Sequence, residues 1–280
     1  MADITQRETA QIDNANDSGR VPVVFIHGLW LLPSSWDRWA EVFNNAGYAP
    51  LTPSWPDDPE TVEEARANPD VFANKTVGQV ADRVANLIGK LTRKPAVVGH
   101  SFGGLLCQII AGRGLSAVSV AIDPAPFRGV LSLPLSSLRS GLPVLRNPAN
   151  RSRSVTLTFK QFQYGWANAV SEDEAKQLYE TFHVAAPGAP LFQAAAANLN
   201  PRTEAKVNAS NPDRGPLLII DGAKDHTIPW AIASHSFKRQ RHNPSVTEIT
   251  SIPNRGHALT IDNGWREVAG RSLAFVRRFA

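Results

Sequence analysis

At 280 residues, with 42% apolar and 19% charged side chains, the chain has the makeup of a globular protein of one large domain or two average ones, which excludes disordered, collagen-like and mucin-like classes. No stretch approaches the ~20 apolar residues of a membrane span, and residues 1–20 lack the apolar run of a secretory signal, so a cytoplasmic, membrane-free protein is expected. The balance of 29 Lys and Arg against 25 Asp and Glu gives +4. The basic clusters (Arg151 and Arg153; Lys238, Arg239 and Arg241; Arg277 and Arg278) are short and scattered, which argues against nucleic acid as a partner. Cys107 is the only cysteine, so no internal disulfide exists, and no Cys/His spacing would hold structural zinc.

Short aliphatic runs at residues 21–27 (VPVVFIH), 48–53, 95–99 (PAVVG), 117–122 (AVSVAI), 217–220 (LLII) and 246–252 read as strands. Most are apolar on both faces, the pattern of parallel strands covered on each side. Helical patterns at 35–45, 76–91, 102–113, 230–240 and 264–279 alternate with them. The second of these opens on a capping-box pattern, Thr76 to Gln79, and carries a stripe of Val77, Val80, Val84, Leu87, Ile88 and Leu91. Strand and helix alternating in this way predict an α/β fold with a mostly parallel sheet of about six strands. The alternation stops after Asp123. Residues 125–213 hold helix-like segments near 132–145, 157–170, 171–184 and 191–199, separated by turn signals at Asn147-Pro148, Pro187-Gly188 and Asn200-Pro201. They are expected to form a helical cap inserted between two core segments, 1–124 and 214–280, above the carboxyl ends of the strands.

Gly99-His100-Ser101-Phe102-Gly103-Gly104 follows one predicted strand and opens a helix. A G-x-S-x-G pattern in that setting is the signature of a sharp turn that exposes a serine at the top of the sheet, with the helix amides facing any negative charge that develops there. On these residues the chain resembles the α/β-hydrolase fold superfamily, of the serine esterase or non-heme perhydrolase type. The matching motifs run from His27 to His257.

That resemblance implies further roles. In the family the acid and the base follow the serine in chain order. Residues 217–229 match the family's strand followed by G-x-x-D-x-x-(V/I)-P, which makes Asp225 the carboxylate, with Asp123 at the end of an earlier strand as the alternative and Asp221 and Asp262 weaker candidates. Gly256-His257 matches the family's late Gly-His turn, which makes His257 the base. His27, His100, His183, His226, His235 and His242 lack that context. Backbone amides of Leu29, after His27-Gly28, and of Phe102 are implied as the oxyanion hole. Leu29, Trp30, Phe102, Phe127, Phe159, Phe162, Tyr164, Trp166, Phe192 and Leu259 are the candidate walls of an apolar substrate pocket. A serine in place of an aspartate argues against haloalkane dehalogenase and epoxide hydrolase chemistry, which need a carboxylate nucleophile.

The expected activity is hydrolysis of small to medium uncharged carboxylic esters, with lactones, amides, carbamates, peracid formation or carbon–carbon cleavage as alternatives on the same triad, and a small-ligand receptor as the non-enzymatic one. No P-loop, dinucleotide fingerprint or H-E-x-x-H occurs, so no metal or other cofactor is expected. The family's usual Pro-Gly-x-Gly-x-Ser turn after the second strand is replaced by Pro53-Ser54-Trp55-Pro56-Asp57-Asp58-Pro59. The two strands that open the fuller family sheet have no counterpart in residues 1–20.

Overall fold

The computed structural model describes residues 4–280. Its strands are β1 (Pro22–Ile26), β2 (Ala49–Leu51), β3 (Ala96–His100), β4 (Val118–Ile122), β5 (Ser154–Val155), β6 (Ala186–Pro187), β7 (Leu217–Gly222) and β8 (Thr247–Ile252). The helices are α1 (Gln6–Ser18), α2 (Asp37–Asn45), α3 (Val62–Ala67), α4 (Val77–Ile88), α5 (Phe102–Gly112), α6 (Leu135–Leu145), α7 (Phe159–Gly165), α8 (Glu172–Phe182), α9 (Ala189–Ala195), α10 (Trp230–Gln240) and α11 (Trp265–Arg277). No helix among the described residues is long and apolar enough to cross a membrane.

Six strands form one sheet in the order β2-β1-β3-β4-β7-β8, and every neighbouring pair is parallel. Residues of β1, β3, β4 and β7 are buried throughout, which is why these strands read as unbroken apolar runs rather than alternating ones. The pleat sorts their side chains between two layers. Val24, Ile26, Val97, Ala121 and Ile219 pack with residues of α1, α4, α5 and α10. Val23, Phe25, Val98, Val120 and Ile220 pack with Trp36, Trp39 and Phe43 before and on α2 and with Trp265, Val268 and Val276 of α11. Register is fixed by this sorting, as in Val24↔Val97, Val98↔Val120 and Val120↔Leu218. A slip of one residue would exchange the two layers.

The edge of β2 is closed by α1, an element the sequence reading did not assign. Thr5 and Glu8 form a capping box at its start. Arg7 donates to Thr52 and Ser54, Gln11 exchanges hydrogen bonds with Thr52, and Glu8 accepts from the Ser54 amide. The Glu8 carboxylate is also paired with the buried Arg83 of α4 at 2.7 Å. A helix thus satisfies the polar groups that follow a short edge strand, where additional strands would otherwise be needed. The opposite edge, β8, is only half buried and carries Glu248 paired with Arg278.

The chain leaves β1 toward β2 on one side, then returns to place β3, β4, β7 and β8 on the other. The loops after β1 and β3 therefore diverge, opening a crevice at the carboxyl ends of these two strands. Between β4 and β7 the chain forms α6 to α9, together with a two-residue antiparallel ladder of β5 and β6 that the sequence reading did not anticipate.

Within this segment His183 is buried and stacks on Tyr179 at 4.5 Å between ring centroids, and its Nε2 accepts from the Leu157 amide. Burial, and secondarily the Arg66 charge, push its pKa down to about 3. Since the unfolded chain protonates near pH 6.5, it binds more protons than the folded one below that value, so stability falls as pH drops through the window from about 6.5 to about 3. The expected loss is about 1.4 kcal/mol per pH unit from this group between about pH 6 and 4. Urea unfolding of wild type and His183→Gln across this range checks it: the wild-type curve should be steeper, and parallel curves would refute the assignment.

Candidate active site

Ser101 sits between β3 and α5 with φ 57° and ψ −119°, a conformation that costs a non-glycine residue about 1–3 kcal/mol. Three backbone bonds hold it there: its amide donates to Ile122, and its carbonyl accepts from Leu105 and Ala125. The glycines of the motif permit the turn by close approach. A Cβ on Gly99 would collide with the Gly103 carbonyl, and one on Gly103 with the Ile26 carbonyl.

His257 follows β8 in the turn predicted for it and is fully buried. Its Nδ1 lies 2.6 Å from Asp225 Oδ2 and its Nε2 2.9 Å from Ser101 Oγ. Asp225 follows β7, and its second oxygen accepts from the amides of Thr227 and Ile228. An acceptor fixed in this way sets the tautomer: Nδ1–H donates to Asp225, and Nε2 is left to accept the Ser101 hydroxyl. The imidazole is walled by the rings of Trp166 and His100, at 4.6 and 4.7 Å between centroids. Ser101, Asp225 and His257 come together although 32 residues separate the last two and 156 separate His257 from the serine.

Asp123 lies close behind. It is fully buried, with Oδ1 accepting from the Gly222 amide and Oδ2 4.0 Å from His257 Nδ1, without a hydrogen-bond donor among the described residues. Burial, then the neighbouring Asp225 and Asp221 charges, push its carboxyl well above the usual range. Burial likewise pushes Asp221 up to about 7, and the Ser251 hydroxyl donates to it. Asp262 lies after His257 and accepts from the Gly264 amide, away from the imidazole.

Neither ring nitrogen of His100 meets a hydrogen-bond partner among the described residues, and burial together with the nearby His257 pushes its pKa well down. Ligand atoms of His100, Asp123 and His257 lie close enough to share a cation. The fit is poor, because both nitrogens of His257 are already engaged by Asp225 and Ser101, and a cation would have to break one of those bonds.

The loop after β1 comes down against the serine. A Cβ on Gly28 would sit 2.9 Å from Ser101 Cβ and 2.9 Å from the His100 carbonyl, so only glycine allows this approach. The amides of Leu29, the residue after Gly28, and of Phe102, the residue after the serine, donate to no protein acceptor among the described residues. His27 of the same loop pairs with Asp58 at 3.0 Å, and Asp58 also accepts from the Trp55 amide. The variant turn after β2 thereby braces this loop. Trp30 follows with φ 62°, its indole donating to Val155 and its carbonyl accepting from Val184.

A cleft with about 980 Å³ of non-protein space, partly open to solvent, leads to Ser101. Of the aromatic walls expected from sequence, Trp30 lines it, as does Phe102 beside the serine. Phe127, Phe162, Trp166 and Leu259 are instead fully buried in the core. Phe159 and Phe192 pack against that core, and Tyr164 lies against His226. The reason is packing: Phe162 and Trp166 stack at 5.9 Å with nearly parallel rings and tie α7 to the imidazole. The walls are Val130, Leu131, Leu133, Leu145, Leu191, Ile228 and Ile232, with no charged side chain among the lining residues. Leu131, Leu133 and Leu145 belong to a leucine-rich run in residues 131–145, which was the sequence signal for these three.

A family model described as "Alpha/beta hydrolase family" matches residues 23–271. No curated protein matches the sequence. Among solved structures, an extracellular alpha/beta-hydrolase from a Paenibacillus species superposes with a TM-score of 0.65 at 20% identity, covering 91% of this chain and 98% of the other. A monoacylglycerol lipase from Paleococcus ferrophilus gives 0.59 at 19% identity, with 91% and 94% covered. A pyrethroid hydrolase from Sphingobium faniae gives 0.61 at 15%, with 92% and 97% covered. At these identities the likeness establishes a shared fold.

Proposed function

The chain belongs to the alpha/beta hydrolase family, and from that premise we propose that it hydrolyses uncharged, apolar carboxylic esters through an acyl-enzyme on Ser101. The observation that carries this reading is His257 held between Ser101 Oγ and Asp225 Oδ2 at 2.9 and 2.6 Å. His257 Nε2 takes the hydroxyl proton as Oγ bonds to the ester carbonyl carbon, and Asp225 stabilises the resulting imidazolium without being protonated. The oxyanion of the tetrahedral intermediate accepts from the unengaged amides of Leu29 and Phe102. The intermediate collapses as the carbon–oxygen bond to the alcohol breaks and His257 returns the proton to the leaving oxygen. Water then repeats the sequence, releasing the acid and restoring Ser101.

The lining of the cleft supports an apolar acyl or alcohol group, because a desolvated wall without charge cannot hold an ion at low cost. In this reading residues 125–213 act as the cap domain expected from sequence, since they supply most of the cleft wall. The test is turnover of p-nitrophenyl esters of graded acyl length by wild type and Ser101→Ala. Sustained hydrolysis that rises with acyl length and vanishes in the variant is expected. A single burst without steady turnover would instead favour a ligand receptor.

A further inference from the structure

The mouth of the cleft carries an exposed apolar surface that extends well beyond the cleft wall. Leu131 and Leu133 line the cleft yet are 74% and 67% exposed, and Leu135, Leu138 and Leu142 of α6 continue outward at 83%, 39% and 54%. At about 100° per residue, Leu135, Leu138, Arg139, Leu142 and Arg146 fall within one arc of roughly 100° on that helix. Val144 lies on the opposite side and is fully buried, so this arc faces solvent. Leu199, also exposed, follows Asn198, whose side chain bonds Gly129 and Val130 beneath the same rim. Contiguous leucines of this kind on a protein surface mark an interaction site rather than an accident of packing.

Charge selects the occupant. Residues 124–171 contain Arg128, Arg139, Arg146, Arg151, Arg153 and Lys160 and no Asp or Glu, so a chain of net +4 carries +6 here. The positive charge that looked scattered along the sequence is concentrated in the segment that forms the rim. Two copies of this face would set like charges against each other, whereas leucines flanked by arginines suit an apolar layer beneath anionic headgroups.

We propose that the rim formed by Leu131, Leu133, Leu135, Leu138 and Leu142 docks the protein on an anionic lipid surface, from which an apolar ester enters the cleft toward Ser101. The second half rests on the hydrolase reading; the docking does not. Leu131 and Leu133, at once cleft wall and exposed rim, would join the lipid layer to the cleft, so that an acyl chain need not cross water to reach the serine.

The test uses full-length Ser101→Ala protein, so that binding is read without turnover. It is co-sedimented with vesicles of phosphatidylcholine alone and with about 30 mol% phosphatidylglycerol. Binding to the anionic vesicles at least about tenfold tighter than to the neutral ones is expected. Leu135→Ser/Leu138→Ser/Leu142→Ser should weaken it about tenfold or more, and Arg139→Glu/Arg146→Glu about as much. With Ser101 intact, the triple serine variant should hydrolyse soluble short-chain esters at the wild-type rate, which also reports that it folds. Absence of binding to anionic vesicles, or binding unchanged by the triple variant, would overturn the proposal. So would a wild-type dimer on gel filtration that the triple variant abolishes, since a second copy would then be the occupant. The vesicle assay and the ester assay share no readout, so each can fail alone.

Discussion

Replacing Ser101 by Ala is expected to lower kcat for a soluble ester by about 10⁴–10⁶-fold while changing KM little, the loss that follows removal of a nucleophile acting as part of a triad. The hydroxyl bonds to carbon only after binding, so the apolar cleft and the amides of Leu29 and Phe102 should still hold substrate. Ser101→Gly should be equally inactive and more stable than the alanine variant by about 1 kcal/mol, because glycine relieves the backbone cost at φ 57°. Steady-state kinetics and urea unfolding of the two variants check both halves. An alanine variant retaining a tenth of the activity would remove the serine from the reaction.

The second large effect concerns the acid. Asp225→Asn should cost about 10⁴-fold in kcat, because the amide donates to His257 Nδ1 and leaves Nε2–H facing Ser101, the wrong tautomer for a base. Asp225→Ala should cost less, about 10²–10³-fold, since it leaves Nδ1 open to Asp123, whose Oδ2 is 4.0 Å away. Removing Asp225 also removes one of the charges that push the Asp123 carboxyl upward, which favours its ionised form and lets it orient the imidazole in its place. Asp123→Asn alone should cost less than about tenfold, and the Asp123→Asn/Asp225→Ala pair should fall to the level of Asp225→Asn. If Asp123→Asn alone were as damaging as Asp225→Asn, the two carboxyl groups would have to exchange roles.

How far the sequence could be read follows from how local each constraint is. The turn at Ser101 was legible because its glycines are demanded by contacts within a few residues and by one adjacent strand, and the strands because burial on both faces leaves unbroken aliphatic runs. Asp225 and His257 were legible only through resemblance; nothing in their own spacing states that two loops converge on one serine. The α1 helix was missed because only Ile12 and Ala15 of its apolar residues are buried, too few for a periodic stripe, although Thr5 and Glu8 carried its capping signal. The β5–β6 ladder spans two residues on each side and has no periodicity to find. The pocket walls were misjudged for an energetic reason: large aromatic side chains such as Phe162 and Trp166 bury the most area by stacking in the interior, which leaves leucines at the rim.

Ester cleavage by this route requires Ser101 to be a nucleophile that His257 activates. Incubation with a fluorophosphonate, followed by intact-mass and peptide mass spectrometry, measures this directly. One covalent adduct per chain on the peptide containing Ser101 is predicted, with labelling slowed at least about 10³-fold in His257→Ala. No adduct, an adduct on another residue, or equal labelling of the His257→Ala protein would contradict it.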